Sequence, residues 1–261
     1  TLNGEGLQHE DGHSHVLASV VPNVVAYDPA FAYELAVLIE DGLRRMYQER
    51  EDVFYYLTLY NENYVQPPMP EGAADGILKG LYCFQRSPLP GSGSTGAPRV
   101  QLLGSGPLLR EAVRAQEILG DVYGVAADVW SATSYKELRR EALECERVNR
   151  LHPDAAPRVP YVTHVLAEAE GPVIAVSDYL KMVPDQIARW VPQGLVPLGT
   201  DGFGRSESRA ALRRFFEIDA ETIALAALVE LAKRGEVPKD LPLKARGELG
   251  IDPEKRDPVA S

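Results

Sequence analysis

The chain has 261 residues, 45% of them hydrophobic and 25% charged, with 22 Gly, 20 Pro and a formal net charge of −11. Those figures exclude a disordered, collagen-like or coiled-coil chain and leave room for one large or two modest globular domains. Residues 1–98 carry 5 Lys and Arg against 13 Asp and Glu, residues 99–261 carry 22 against 25, and neither part has the basic surplus that a nucleic-acid surface needs. No run of about 18 apolar residues is present, as a membrane-spanning helix requires.

The densest chemistry comes first in the chain. His9, Glu10, Asp11, His13 and His15 place three of the five histidines and two carboxylates within seven residues. Imidazoles titrate near neutrality, so such a loop can move protons or hold a substrate carboxylate. A metal site and a merely solvated terminus are the rival readings. His13 and His15 point to opposite faces of an extended loop, which disfavours the metal. The chain opens on Thr1 in a polar stretch with no signal-peptide pattern, so it is expected to be part of something longer.

Asn23–Tyr27 is a short apolar run. Asp28 can cap a helix whose first position is Pro29, and Phe31, Leu35, Leu38, Ile39, Leu43 and Met46 predict that helix over 29–48. The β-branched and aromatic residues of 52–60 predict a buried strand. Asn61-Glu62-Asn63-Tyr64 ends that strand, either lining a pocket or forming an ordinary turn. Ser87–Pro98 is nearly all Pro, Gly and Ser, and predicts a mobile linker between 1–86 and 99–261.

Beyond it, strands are predicted at 99–103, 126–130, 173–177 and 195–198. Helices are predicted at 108–123, 135–149, 179–191, 206–216 and 220–234. This alternation implies an α/β fold with a mostly parallel sheet between helix layers. Ligands on such sheets bind at the carboxyl ends of the strands, here near 104–106, 131–134 and 200–205. Gly199-Thr-Asp-Gly-Phe-Gly204 could cradle a phosphate before a helix, or simply lead to Ser206 as its cap; it matches neither a P-loop nor a dinucleotide fingerprint. Arg139–Arg147 reads as a solvated, mixed-sign helix face. Cys83 and Cys145 are too far apart for a metal pair or disulfide framework, and read as reduced thiols of a cytosolic protein.

Four stretches in order, Thr1–His15, Tyr55–Tyr64, Met69–Ala73 and Leu198–Ser206, resemble the homodimeric pyruvate dehydrogenase (acetyl-transferring) components of the transketolase-like group. The resemblance spans essentially the whole chain and matches the C-terminal third of those enzymes. It implies that 1–86 is the second half of a pyrimidine-binding domain and 99–261 a transketolase-type C-terminal domain, joined by 87–98. It also implies a cytoplasmic enzyme that uses thiamine diphosphate and magnesium, with a second copy of the subunit, a lipoyl-bearing acyltransferase and pyruvate as partners, and without nucleic acid or membrane. The magnesium and diphosphate motif and the activating glutamate lie outside this chain; Glu10, Glu62 and Glu71 do not match that glutamate. No cofactor or metal is therefore expected on this chain alone.

Transketolases carry Glu-Asp-Gly-Pro-Thr-His in a substrate-facing loop, and Glu10–His15 matches it. The resemblance implies catalytic positions at His9, Asp11 and His15 and substrate binding by His9 and His13, with His13 standing where transketolases have proline. Two alternatives share the fold: a non-catalytic dimerisation module, and a transketolase-like enzyme acting on sugar phosphates. His13-Ser-His15 and the Asn-Glu-Asn-Tyr strand end argue against the second.

Overall fold

The computed structural model describes residues 9–90 and 96–260. The N-terminal part of the Thr1–His15 resemblance and the centre of the Pro/Gly/Ser stretch lie outside the described residues. The chain enters through α1 (Ser14–Ser19). Asp11 Oδ1 accepts the backbone N–H groups of His13 (3.0 Å) and Ser14 (2.9 Å), which the start of a helix leaves over.

A small parallel sheet follows. β1 (Val24–Tyr27) is buried throughout and pairs with β2 (Phe54–Leu57), Val24 opposite Phe54 and Tyr27 opposite Leu57. Between them α2 (Ala32–Leu43) runs into a π-helical turn at Arg44–Gln48. The helix predicted from Pro29 begins three residues later. Glu34 reaches back to accept the N–H groups of Ala30 (2.5 Å) and Phe31 (3.2 Å), so Asp28 is not its cap. The strand predicted over 52–60 is shorter and only partly buried: Thr58 N–H makes a last bond to the Tyr27 carbonyl (3.2 Å), and the side chains of Thr58 and Tyr60 donate to Asp28.

α3 (Ala73–Lys79) ends at Gly80, φ 102°, where a Cβ would collide with the carbonyl of Ser134. β3 (Tyr82–Gln85) then opens the larger sheet. It is followed by β4 (Arg99–Gly104), α4 (Leu108–Tyr123), β5 (Ala126–Ser131), α5 (Tyr135–Leu151), α6 (Tyr161–Leu166) and β6 (Val173–Val176). Next come α7 (Met182–Asp185), β7 (Leu195–Leu198), α8 (Arg209–Phe215), α9 (Ala220–Arg234) and α10 (Leu241–Glu248).

The strand order is β3-β5-β4-β6-β7, with β3 antiparallel and the other pairings parallel. On one face Leu109, Leu119, Ile223 and Leu228 of α4 and α9 bury Leu102 and Ile174. On the other, Leu138, Val162 and Val183 of α5, α6 and α7 bury Leu103 and Ala175. The expected sheet between helix layers is present.

The helix predicted over 179–191 is broken. Only Met182–Asp185 is α-helical, with Pro184 inside it, and a single 3₁₀ turn follows at Ala188–Trp190. The helix predicted from Ser206 starts at Arg209, with Ser208 as cap. The described ends of 87–98 contact the sheet: Ser87 N–H donates to Asp128 Oδ1 (2.8 Å), and Arg99 donates to the Leu89 carbonyl (3.4 Å). β3 lies before this stretch yet belongs to the sheet that follows it, so the sheet boundary does not coincide with 87–98.

Ser134 joins the two sheets. Its Oγ accepts Glu137 N–H (3.0 Å) as the cap of α5 and donates to the Ala26 carbonyl of β1 (2.6 Å). Losing a cap costs about 1–2 kcal/mol and losing a buried hydrogen bond about 1 kcal/mol. Ser134→Ala is therefore expected to lower the melting temperature by roughly 4–12 °C, measured by calorimetry.

Candidate functional site

A cavity of about 520 Å³ opens where the carboxyl ends of the parallel strands of both sheets meet. One wall is the loop His9–His13. Its floor is the end of β2, with Thr58 and Tyr60. Asp178 and Tyr179 after β6 and the Thr200–Gly204 loop after β7 close the far side.

The structure brings His9, Asp11 and His13 to this cavity, with all three exposed. His15 is not on its wall. It sits on the inner face of α1, 7% exposed, edge-on to Tyr179 with ring centroids 4.6 Å apart. His13 and His15 do point apart, through the start of a helix rather than an extended loop. The loop itself is held firmly. Gly12 accepts Leu180 N–H (3.0 Å), and Glu10 packs so closely on Gly204 that a Cβ there would overlap it. Asp201 accepts Lys181 N–H (3.0 Å), and Thr200 donates to the Asp178 carbonyl (2.9 Å). The 199–206 segment is thus a buttress for the histidine loop.

The site is acidic. Burial pushes the carboxyls of Glu10 and Asp178 up from the ordinary range. Burial acts the same way on Asp11, but Ser14 and the N–H groups of Ser14 and His13 outweigh it and hold that carboxyl below its usual value. Asp11 is thereby a fixed anion whose first task is to shape the loop.

Beneath the floor runs a buried chain of polar contacts. Asp28 Oδ1 accepts the hydroxyls of Thr58 (2.7 Å) and Tyr60 (2.6 Å), and His15 Nε2 lies 3.0 Å from Thr58 Oγ1. Asp28 Oδ1 and the more distant Tyr27 carbonyl (3.4 Å) only accept, so the single Thr58 proton goes to that side, with Asp28 the nearer acceptor. The Thr58 oxygen then accepts from His15, which places the imidazole proton on Nε2. Burial lowers the His15 pKa, opposed by the negative charges of Asp28 and Asp11.

Asn61–Tyr64 stays off the wall of this cavity; Glu62 forms an inter-sheet tie and lines a separate, arginine-rich cavity of about 450 Å³. Glu62 pairs with Arg213 (2.5 Å) and Arg110 (2.9 Å), and Arg213 also reaches Glu111 (3.1 Å). Tyr64 donates to the Ala30 carbonyl. Asp28, Thr58, Tyr60, Asp178 and Tyr179 are the residues that sequence reasoning missed. Their signal was position: each follows a strand. Asp28-Pro29 also reads as a helix start, which masked it. Among the described residues no group of three or more His, Cys, Asp or Glu is placed to hold a metal.

Residues 1–67 match the pyruvate dehydrogenase E1 component middle domain, and residues 80–219 match the transketolase-like TK C-terminal domain. The pyruvate dehydrogenase E1 component of Pseudomonas aeruginosa is 53% identical over 260 residues, 99% of this chain and 29% of that protein. That of Escherichia coli K12 is 52% identical over 260 residues, 99% of this chain and 28% of that protein. The chain belongs to the pyruvate dehydrogenase E1 family. It spans less than a third of the length of these relatives. A transketolase from Pichia stipitis in complex with a sugar phosphate shares the fold, with TM-score 0.60 and 17% identity over 89% of this chain and 29% of that one.

In this E1-family chain, the buried His15 has a consequence for pH. Its folded pKa is depressed below the reference value of 6.5. Its contribution to stability is therefore complete above that value and is lost as pH falls through the folded pKa. Chemical denaturation from pH 8 down to pH 5 is expected to show a loss of stability that is smaller in His15→Gln. Equal slopes in the two proteins would contradict a neutral buried imidazole.

Proposed function

We propose that this chain forms part of the substrate chamber of a subunit that decarboxylates pyruvate with thiamine diphosphate and passes the acetyl group to lipoyl groups of an acyltransferase. The subunit works as a homodimer in the cytoplasm. The observation that carries this reading is the pair His9 and His13 on a cavity wall that also bears Asp11. An imidazole N–H donates a charge-assisted hydrogen bond to a carboxylate such as that of pyruvate, worth about 1.5–3 kcal/mol. His9 and His13 bind and orient the substrate carboxylate; Asp11 holds the loop that presents them. His15 acts from below as a positioning residue, fixing Thr58 at the floor.

The residues present do not fit the cofactor's diphosphate. Glu10, Asp11 and Asp178 line the cavity, and its described lining offers no lysine or arginine. The electron sink for decarboxylation is supplied from outside these residues. The same lining suits a small monocarboxylate better than a sugar phosphate, which favours pyruvate over the transketolase alternative.

In the full-length enzyme, His9→Ala is expected to lower kcat/KM for pyruvate at least about tenfold, from the size of one charge-assisted hydrogen bond. Unchanged steady-state kinetics would remove His9 from the reaction. Titration of thiamine diphosphate with magnesium into the 261-residue chain is expected to show no micromolar binding by calorimetry. Tight binding would show that the diphosphate site lies within it.

A further inference from the structure

A second, much smaller space of about 10 Å³ lies under the cavity floor, bounded by His15, Asp28, Ser105, Tyr135 and Gln186 among others. Two polar atoms of its walls have no hydrogen-bond partner among the described residues: Asp28 Oδ2 and the Tyr135 hydroxyl. Asp28 is 5% exposed and Tyr135 3%. Buried polar groups of folded proteins are almost always satisfied, by protein or by ordered water. Two such atoms on one small cavity are a coincidence that a shared partner explains.

The space has the size for that partner. A single water needs about 10–15 Å³ on this measure and two to four polar neighbours. The chemistry is complementary as well. Asp28 Oδ2 can only accept, while a tyrosine hydroxyl can donate. His15 also borders the space, and with Nε2–H committed to Thr58 its Nδ1 is the acceptor it has left to offer.

We propose that this space holds one ordered water that accepts from the Tyr135 hydroxyl and donates to Asp28 Oδ2. The water extends the chain from His15 through Thr58 and Asp28 to Tyr135. It thereby connects α1, the ends of β1 and β2, and the start of α5 in one buried network. Asp28 uses both oxygens: Oδ1 holds the cavity floor through Thr58 and Tyr60, and Oδ2 holds the helix of the larger sheet. This assignment does not depend on the reaction proposed above.

Two measurements test it. A high-resolution crystal structure of the full-length protein is expected to show one isolated density peak within hydrogen-bond distance of both Asp28 Oδ2 and Tyr135. An empty space, a direct Asp28–Tyr135 contact, or an anomalous peak there after a rubidium soak would each overturn the water site. The second test reads a sign. With the water in place, Tyr135→Phe removes a hydrogen-bond donor and lowers the melting temperature by roughly 2–6 °C. Without it, the substitution deletes an unsatisfied buried hydroxyl, and the melting temperature stays or rises. Should the variant fail to fold, the wild-type density alone decides.

Discussion

A single carboxylate with no exposed surface ties the small sheet to the large one. Glu34 Oε2 accepts the N–H groups of Ala30 and Phe31, while Oε1 accepts the hydroxyls of Tyr82 (2.7 Å) and Ser131 (2.6 Å). Burial pushes this carboxyl up, and those four donors oppose the shift. They come from the start of α2, from β3 and from β5. A buried anion is tolerated only where its lone pairs are met in good geometry. Meeting them from three elements at once fixes how α2 sits on the large sheet, and with it the position of β1 and everything at its end. The cavity lies on that seam, so its shape is set by a group that never touches it.

The seam is also where the uneven charge of the chain resolves. The N-terminal part carries the excess acid, and some of it faces arginines of the later part. Glu62 meets Arg110, Arg209 and Arg213, which together outweigh burial and hold its carboxyl below the ordinary range. Arg213 is itself buried between Glu62 and Glu111. Exposed ion pairs contribute little, but a buried guanidinium held by two carboxylates resists separation, because removing one partner strands a charge. Polar ties of three kinds thus cross one seam: a capped carboxylate, an ion-pair cluster and the hydroxyl of Ser134.

The parallel α/β architecture was legible because its strands are short apolar runs and its helices carry strong 3.6-residue patterns, as in α4 and α5. The exceptions have local causes. β3 is a four-residue antiparallel edge, Tyr82–Gln85, too short to show alternation. Asp28 followed by Pro29 has the form of a helix start, yet tertiary contacts with Thr58 and Tyr60 claim its carboxylate. Ser206 and Ser208 are both competent caps, and only packing chooses between them. The histidine loop was legible as chemistry but not as geometry. His9, Asp11 and His13 reach the cavity, whereas His15 turns inward because α1 begins at Ser14 and places it on the buried face. The floor of Thr58 and Tyr60, with Asp28 beneath it and Tyr179 beside it, depends on contacts between residues far apart in the chain, which no local pattern records.

The placement of β3 bears on what the Pro/Gly/Ser stretch joins. The chain lays down Tyr82–Gln85 in the large sheet, runs through that stretch, and returns to the same sheet at β4. The strands on either side of the stretch therefore belong to one sheet, both paired with β5. Cutting the backbone there would divide the covalent chain without dividing the fold, since the upstream piece would still be hydrogen-bonded into the sheet of the downstream one and clasped by Glu34. The protein is in this sense woven rather than strung: its two sheets share a strand boundary that no single peptide bond marks.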